Sequence, residues 1–124
     1  MAVTQAEVAQ LYVALFNRAP EGAGFKAWIN FGHNKTQAEI AQLMLESPAA
    51  IEYYGGRIDQ DKDYIELIYK NILGKDYTKD PDGINAWVKH LQLGHSRGET
   101  LVKLFEVAQS AEAKAADPVA AKIF

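Results

Sequence analysis

The sequence predicts an all-α protein: a single compact domain of two tandem pseudo-repeats, with about three to four helices each. Three observations predict it. One motif is written twice, as Tyr12-Val-Ala-Leu-Phe16-Asn-Arg18-Ala-Pro20 with Gly24 and Trp28, and as Tyr69-Lys-Asn-Ile-Leu73-Gly74-Lys75 with Pro81, Gly83 and Trp87. Repetition at this spacing is the mark of duplicated helical modules. Ser or Thr precedes Glu by three residues at Thr4 and Glu7, Thr36 and Glu39, and Ser96 and Glu99, the pattern of a capping box that opens a helix. No segment sustains the period-two alternation of a half-buried strand.

The elements follow in order. After Thr4, the apolar positions Val8, Leu11, Tyr12, Leu15 and Phe16 recur at steps of three and four and form one helix face. Pro20 to Gly24 reads as a turn into a second helix, which carries Trp28 on its inner face and ends near Gly32 in the left-handed conformation that glycine accepts. A third helix runs from Thr36 through Met44 and Leu45, and Ser47-Pro48 opens a short joining helix closed by Gly55-Gly56. The apolar stripe then returns as Ile65, Ile68, Tyr69, Ile72 and Leu73, each displaced by 57 positions.

The displacement grows along the second copy, to 59 between Trp28 and Trp87 and to 60 between Glu39 and Glu99. Two extra residues therefore enter the loop Asp76 to Asp82 and one more enters near Gly94. Asp80 to Gly83 is the second turn, the helix carrying Trp87 ends near Gly94, and a last repeat helix runs from Ser96 through Leu104 and Phe105. Repeat one spans about 4–56 and repeat two about 61–110 within one domain, 1–124. In the tail 111–124 the run Ala111-Glu-Ala-Lys-Ala-Ala extends the last helix before Asp117-Pro118 starts a short piece.

Composition narrows the function classes. With 124 residues, 48% of them hydrophobic, the chain can bury one core or two half-sized cores packed together. A net charge of -3 and a pI near 5.6, with Lys and Arg spread among the acids, supply no basic stripe for phosphate backbones, so no nucleic acid is expected as partner. The absence of cysteine excludes disulfides and thiolate chemistry. It fits a cytosolic protein and, equally, a bacterial surface protein that avoids cross-linking during export. Met1-Ala-Val-Thr4 leads straight into a helix, with no charged-then-apolar leader and no transmembrane run, so export would rest on some other signal.

The residues of the doubled motif resemble those of the bacterial domain of unknown function DUF4214, a helical repeat of surface-layer and other large secreted proteins. Tyr12 to Arg18, Pro20, Glu21, Gly24 and Trp28 carry the resemblance in the first copy, and Tyr69 to Lys75, Pro81, Asp82, Gly83 and Trp87 in the second. Ser47-Pro-Ala-Ala stands near the family's serine motif, and the likeness covers about residues 5 to 110. The arrangement is also similar to the N-terminal region of Campylobacter-type surface-layer proteins. That likeness implies secretion to the cell surface without a cleaved signal peptide, and anchoring of a lattice to lipopolysaccharide.

Candidate chemistry sits on few residues. Trp28 and Trp87 are candidates for sugar contact, since an indole face stacks on pyranose C–H groups and its N–H can donate; the same residues also read as core packing. Tyr53 and Tyr54 cannot easily both be hidden beside Gly55, and one of them is expected to be exposed, where it would either line a groove or simply face solvent. Asp76, Asp80 and Asp82 fall within seven residues and make calcium a candidate cofactor, although Lys89 stands where an EF-hand needs Glu. The competing reading has Asp80 capping a helix and Asp82 supporting its first turn.

His33, His90 and His95 read as surface residues, because His90 and His95 lie five apart across Gly94 and not on one helix face. No Gly-x-Ser-x-Gly elbow is present, and Gly22 and Gly24 lack the third glycine of a phosphate cradle. A two-carboxylate hydrolase would need acids such as Glu21, Glu46, Glu52, Asp59 and Asp63 to meet across a cleft.

The expected function is a non-catalytic cell-surface module that binds surface polysaccharide such as lipopolysaccharide through Tyr53, Tyr54, Tyr77, Trp28 and Trp87. The alternative is a protein–protein assembly domain of a surface lattice, in which Tyr53, Tyr54 and Tyr77 meet neighbouring subunits in a homo-oligomer; a small carbohydrate-active hydrolase stands third. Residues shared by the two copies set helix faces and turns. Function is therefore expected where the copies differ, at Ser47 to Gly56 and Asp76 to Asp82.

Overall fold

The computed structural model describes residues 3–17 and 22–110. Arg18, Pro20 and Glu21 of the first motif, and the tail with its predicted helix and Asp117-Pro118, lie outside the described residues. Among the described residues there are seven α-helices and no strand: α1 (Gln5–Phe16), α2 (Gly22–Phe31), α3 (Gln37–Leu45), α4 (Pro48–Tyr54), α5 (Asp61–Leu73), α6 (Pro81–Gln92) and α7 (Arg97–Gln109). Short 3₁₀ turns at Gly32–Asn34 and Arg57–Asp59, neither foreseen from sequence, connect them. No helix among these residues is long and apolar enough to cross a membrane.

Helix starts follow their caps. Thr4 and Thr36 each accept from the third helical N–H, while Glu7 and Glu39 reach back to the cap's own N–H. Ser96 accepts from the Glu99 N–H, but the Glu99 carboxylate takes the Ser96 hydroxyl at 3.3 Å instead of the backbone N–H, so the predicted third capping box is only half formed. Ser47 caps α4 with Pro48 at its first position, and Asp80 caps α6 in the same way before Pro81.

Two glycine readings change. Gly22 and Gly24 belong to α2 rather than to a turn that ends at Gly24. Gly32 does not end α2 by turning left-handed; it is buried because Val3 packs where its side chain would be, and the Val3 N–H donates to its carbonyl at 3.1 Å. Gly94, at φ 104, does make the left-handed turn predicted for it.

The two apolar stripes meet in one core. Val8, Leu11 and Leu15 on α1 and Ile65, Ile68 and Ile72 on α5 are all buried, with Ile40, Met44, Leu101 and Leu104 closing the other side. α1 packs on α5 and α3 on α7, which pairs the two helices that carry the apolar stripes and the two that open on Thr36 and Ser96. Two of these contacts join positions in register. The Asn71 amide donates to the Ala14 carbonyl at 2.8 Å, and 71 lies 57 beyond 14. Gly98 lies against the Ala38 carbonyl, 60 positions earlier, where any side chain would collide with backbone.

Polar ties fix the remaining elements. Gln37 donates to the Glu7 carbonyl at 3.0 Å and to Gln10 at 2.8 Å, holding α3 to α1. Arg97 donates to the Ile58 carbonyl at 2.7 Å and to Asp61 at 2.9 Å, while its guanidinium lies over the ring of buried Tyr64. Tyr64 in turn donates to the Arg97 carbonyl, and burial pushes its hydroxyl far above the ordinary tyrosine range. These bonds anchor the Arg57–Asp59 turn and, through it, the end of α4.

A pair of adjoining grooves as candidate functional site

α4 ends with one tyrosine turned in and one turned out. Tyr54 is 4% exposed and stacks on Phe16, whereas Tyr53 is 52% exposed and meets the edge of Phe16 at 6.0 Å. The Tyr53 hydroxyl donates to the Phe16 carbonyl at 3.5 Å, which places the phenol beside the C-terminal end of α1. Asn17 caps that end at φ 51, a left-handed conformation that asparagine tolerates better than most residues.

Between α1, α2 and α4 lies a groove of about 490 Å³, lined by Tyr12, Phe16, Trp28 and Tyr53 with Ser47 and Glu52 among them. Gly24 forms its floor, and a side chain there would touch the Tyr12 hydroxyl at 3.3 Å. Trp28 is half-buried and packs against Phe31 edge to face at 5.9 Å, so its indole is held without being enclosed. Four aromatic rings beside the Glu52 carboxylate can grip an apolar face and still hydrogen-bond its rim.

A second groove of about 510 Å³ adjoins the first, with Tyr53 in the wall of both. Arg57, Glu66, Lys70, Asn71, Asp76 and Tyr77 contribute its polar lining. Tyr77 is fixed by the Lys62 ammonium over its ring at 4.2 Å and by Asn85, which donates to its hydroxyl at 3.2 Å.

The loop between α5 and α6 holds its acids apart. Asp76 accepts from the Thr78 N–H, the Thr78 hydroxyl and the Lys79 N–H, bonds that hold its carboxyl below the usual range. Asp80 accepts the Tyr69 hydroxyl on one oxygen and the Gly83 N–H on the other, with the same lowering effect on its carboxyl. Asp82 lies in the first turn of α6. Among the described residues, no three acids or histidines come together to hold a metal ion, so Asp76, Asp80 and Asp82 do not form the cluster that their spacing suggested.

The other predicted residues are scattered. Trp87 is half-buried against His90 and lines neither groove, and Tyr54 is inside the core. His33 is exposed and bonds only locally, to the Asn30 carbonyl. His95 is exposed, as the surface reading has it, and His90 is half-buried, but the two are not separate. The turn at Gly94 stacks the two imidazoles at 3.9 Å, nearly parallel, with His90 on Thr100 at 2.9 Å and His95 3.5 Å from Glu99.

Sequence reasoning missed Tyr12 and Phe16 as groove residues because they sit on the apolar stripe; it placed function in the stretch Ser47 to Gly56, but gave Ser47 only a helix start and Glu52 only a place among the acids of a hydrolase. Arg57, Glu66 and Lys70 carried no local signal. Asn71 did: it is a polar residue one position before Ile72, where the first copy has Ala14.

No curated protein and no solved structure matches the chain. A family model does match, over residues 41–116, which starts within α3 and takes in Ser47, the second motif copy and α7. That stretch is more than half of the chain, and it places the protein in the family of the domain of unknown function DUF4214.

Proposed function

We propose that this chain is a non-catalytic module of a secreted bacterial surface protein, and that it holds a surface polysaccharide such as lipopolysaccharide in the groove between α1, α2 and α4. The observation that carries the reading is the groove itself, where Trp28, Tyr12 and Tyr53 present ring surface beside Glu52 and Ser47. Sugar rings have apolar C–H faces and hydroxyl rims, and such a lining matches both. Membership of the family, a helical repeat that the doubled motif likens to parts of surface-layer and other large secreted proteins, supports the cellular setting.

The two halves also fit a duplicated unit. Contacts between 14 and 71 and between 38 and 98 join equivalent positions, as a local two-fold axis would require. On this view one copy kept its motif as scaffold and the other opened it toward a ligand.

Titration of purified lipopolysaccharide polysaccharide while tryptophan fluorescence is followed tests the reading. Trp28→Ala and Tyr53→Ala should each weaken binding by about tenfold, ~1.4 kcal/mol, whereas Trp87→Ala should not. Failure of every surface glycan tried to perturb the signal would remove the proposal.

One observation favours a second reading, assembly with neighbouring subunits. Ile51 on α4 is 56% exposed, a large apolar side chain of the sort that interfaces cover. Light scattering over a concentration series, with and without calcium, should then show oligomers that Ile51→Lys abolishes.

A further inference from the structure

We propose that the second groove continues the first as one site, and that it takes an acidic substituent, a carboxylate or phosphate, on the same glycan. This rests on the polysaccharide reading above and adds the chemical class of the ligand. Tyr53 lines both grooves, so a chain lying on its ring in the first has Arg57 and Lys70 before it in the second.

The charge arrangement of that groove is not self-satisfied. Arg57 and Lys70 make no ion pair among the described residues, and Lys70 does not pair with Glu66, one helical turn before it. Of the two lining carboxylates, Asp76 takes three donors from its own loop on a single oxygen, and neither it nor Glu66 pairs with Arg57 or Lys70. Tyr77 accepts from Asn85 and so has its own phenolic proton to give. Two cations that neither carboxylate pairs, and a hydroxyl donor, thus line the groove together. A neutral sugar would leave the guanidinium and ammonium to water, whereas an anionic oxygen cluster would meet both; a guanidinium can take it in a fork.

The test uses the full chain and two probes of equal length, an oligogalacturonate and its methyl ester, in calorimetric titrations at low and moderate salt, with a phosphorylated oligosaccharide as third arm. Each exposed charge contact is worth up to ~1 kcal/mol, so the acid should bind about tenfold tighter than the ester, and the advantage should shrink with salt. Arg57→Gln with Lys70→Gln should remove the preference, so that acid and ester bind alike, with unaltered thermal melting as proof of folding. Preference for the phosphorylated probe over the oligogalacturonate would assign phosphate as the substituent, and the reverse a carboxylate.

Equal binding of acid and ester overturns the inference while leaving the polysaccharide reading intact. Absence of binding by all three probes and by lipopolysaccharide overturns both. Acid binding that Tyr53→Ala leaves untouched shows two separate sites and overturns the continuity.

Discussion

The two helix junctions built on the doubled motif treat the same tyrosine in opposite ways. At the α5 to α6 junction Tyr69 is 4% exposed, gives its hydroxyl to Asp80 and sits over Gly83, so the ring is sealed beneath a loop whose acid also caps α6. At the α1 to α2 junction Tyr12 is only half-buried and forms the wall of a groove with Gly24 and Trp28. The glycine serves one purpose in both, leaving space for a phenol hydroxyl. What surrounds the phenol differs, and that decides whether the motif is scaffold or binding surface.

The largest predicted effect breaks the contact between the halves. Gly98→Val on α7 places side-chain atoms against the Ala38 carbonyl, which is backbone and cannot swing aside. Overpacking of this kind should cost about 3 kcal/mol, read as a lower urea midpoint. Ala38→Gly, the reciprocal change, relieves no collision and should cost less than about 1 kcal/mol, through backbone entropy alone.

The second effect separates the junctions themselves. Asp80→Ala removes the α6 cap and the Tyr69 acceptor together, and should cost about 2 kcal/mol; Tyr69→Phe loses only the hydroxyl bond, about 1 kcal/mol. The pH dependence follows from the lowered Asp80 carboxyl. Because its folded-state value lies below the ordinary 3.8, its contribution is complete above that value and is lost as pH falls through the folded one. Asp80→Asn should therefore flatten part of the acid limb of a stability profile. At the other end, Tyr69 is raised above its ordinary 10.0, chiefly by burial and then by Asp80, so its contribution fades as pH rises beyond about 10.

A third and smaller effect compares the helix ends that precede the junctions. Asn17 closes α1 and Gly74 closes α5, both left-handed, at φ 51 and 68. No atom lies near a Cβ built at 74, so Gly74→Ala should cost only the backbone strain, about 1 kcal/mol. Gly74→Asn should cost less, because the first half already uses asparagine there. Thermal melts of the two variants distinguish these outcomes.

Much of this scaffold was legible in the sequence because caps, apolar stripes and a proline-led helix start act within a few residues. Thr4, Thr36, Ser47 and Asp80 each open the helix that the sequence assigns them. The grooves were not legible, for a physical reason. Their walls come from residues such as Phe16 and Tyr53, 37 positions apart, and whether a stripe residue is buried or half-exposed depends on which helix packs beside it. α2 does end just before Gly32, as the sequence suggests, but the sequence cannot show that no left-handed turn is made there or that Val3 fills the space beside it. The acids of Asp76 to Asp82 looked like a cation site because spacing does not reveal that Asp76 and Asp80 turn to hydroxyls and backbone N–H groups of their own surroundings and that the three do not converge.

The smallest predicted effect concerns the far ends of α2 and α6, where the halves again differ in what covers an aromatic ring. Trp28 meets Phe31 edge to face and Lys35 places its ammonium over the Phe31 ring at 5.0 Å. In the second half Trp87 meets His90 the same way, and His95 stacks on His90 at 3.9 Å. Position 31 corresponds to 90 at the displacement of the tryptophans, and 35 to 95 at that of Glu39 and Glu99. A lysine over phenylalanine is attractive at any ordinary pH. Two stacked imidazoles are not, once both carry a proton. The His90 value is lowered by burial first and by His95 second, so the neutral ring is the folded form. Its contribution is complete above the ordinary 6.5 and is lost as pH falls through the lower folded value. His95→Ala should shift the His90 titration, followed by NMR of the imidazole protons, part of the way back toward 6.5 and no further, since burial remains. His90→Phe should make this turn as indifferent to pH as its counterpart in the first half, and an unchanged pH profile in that variant would show that the stack does not govern the turn.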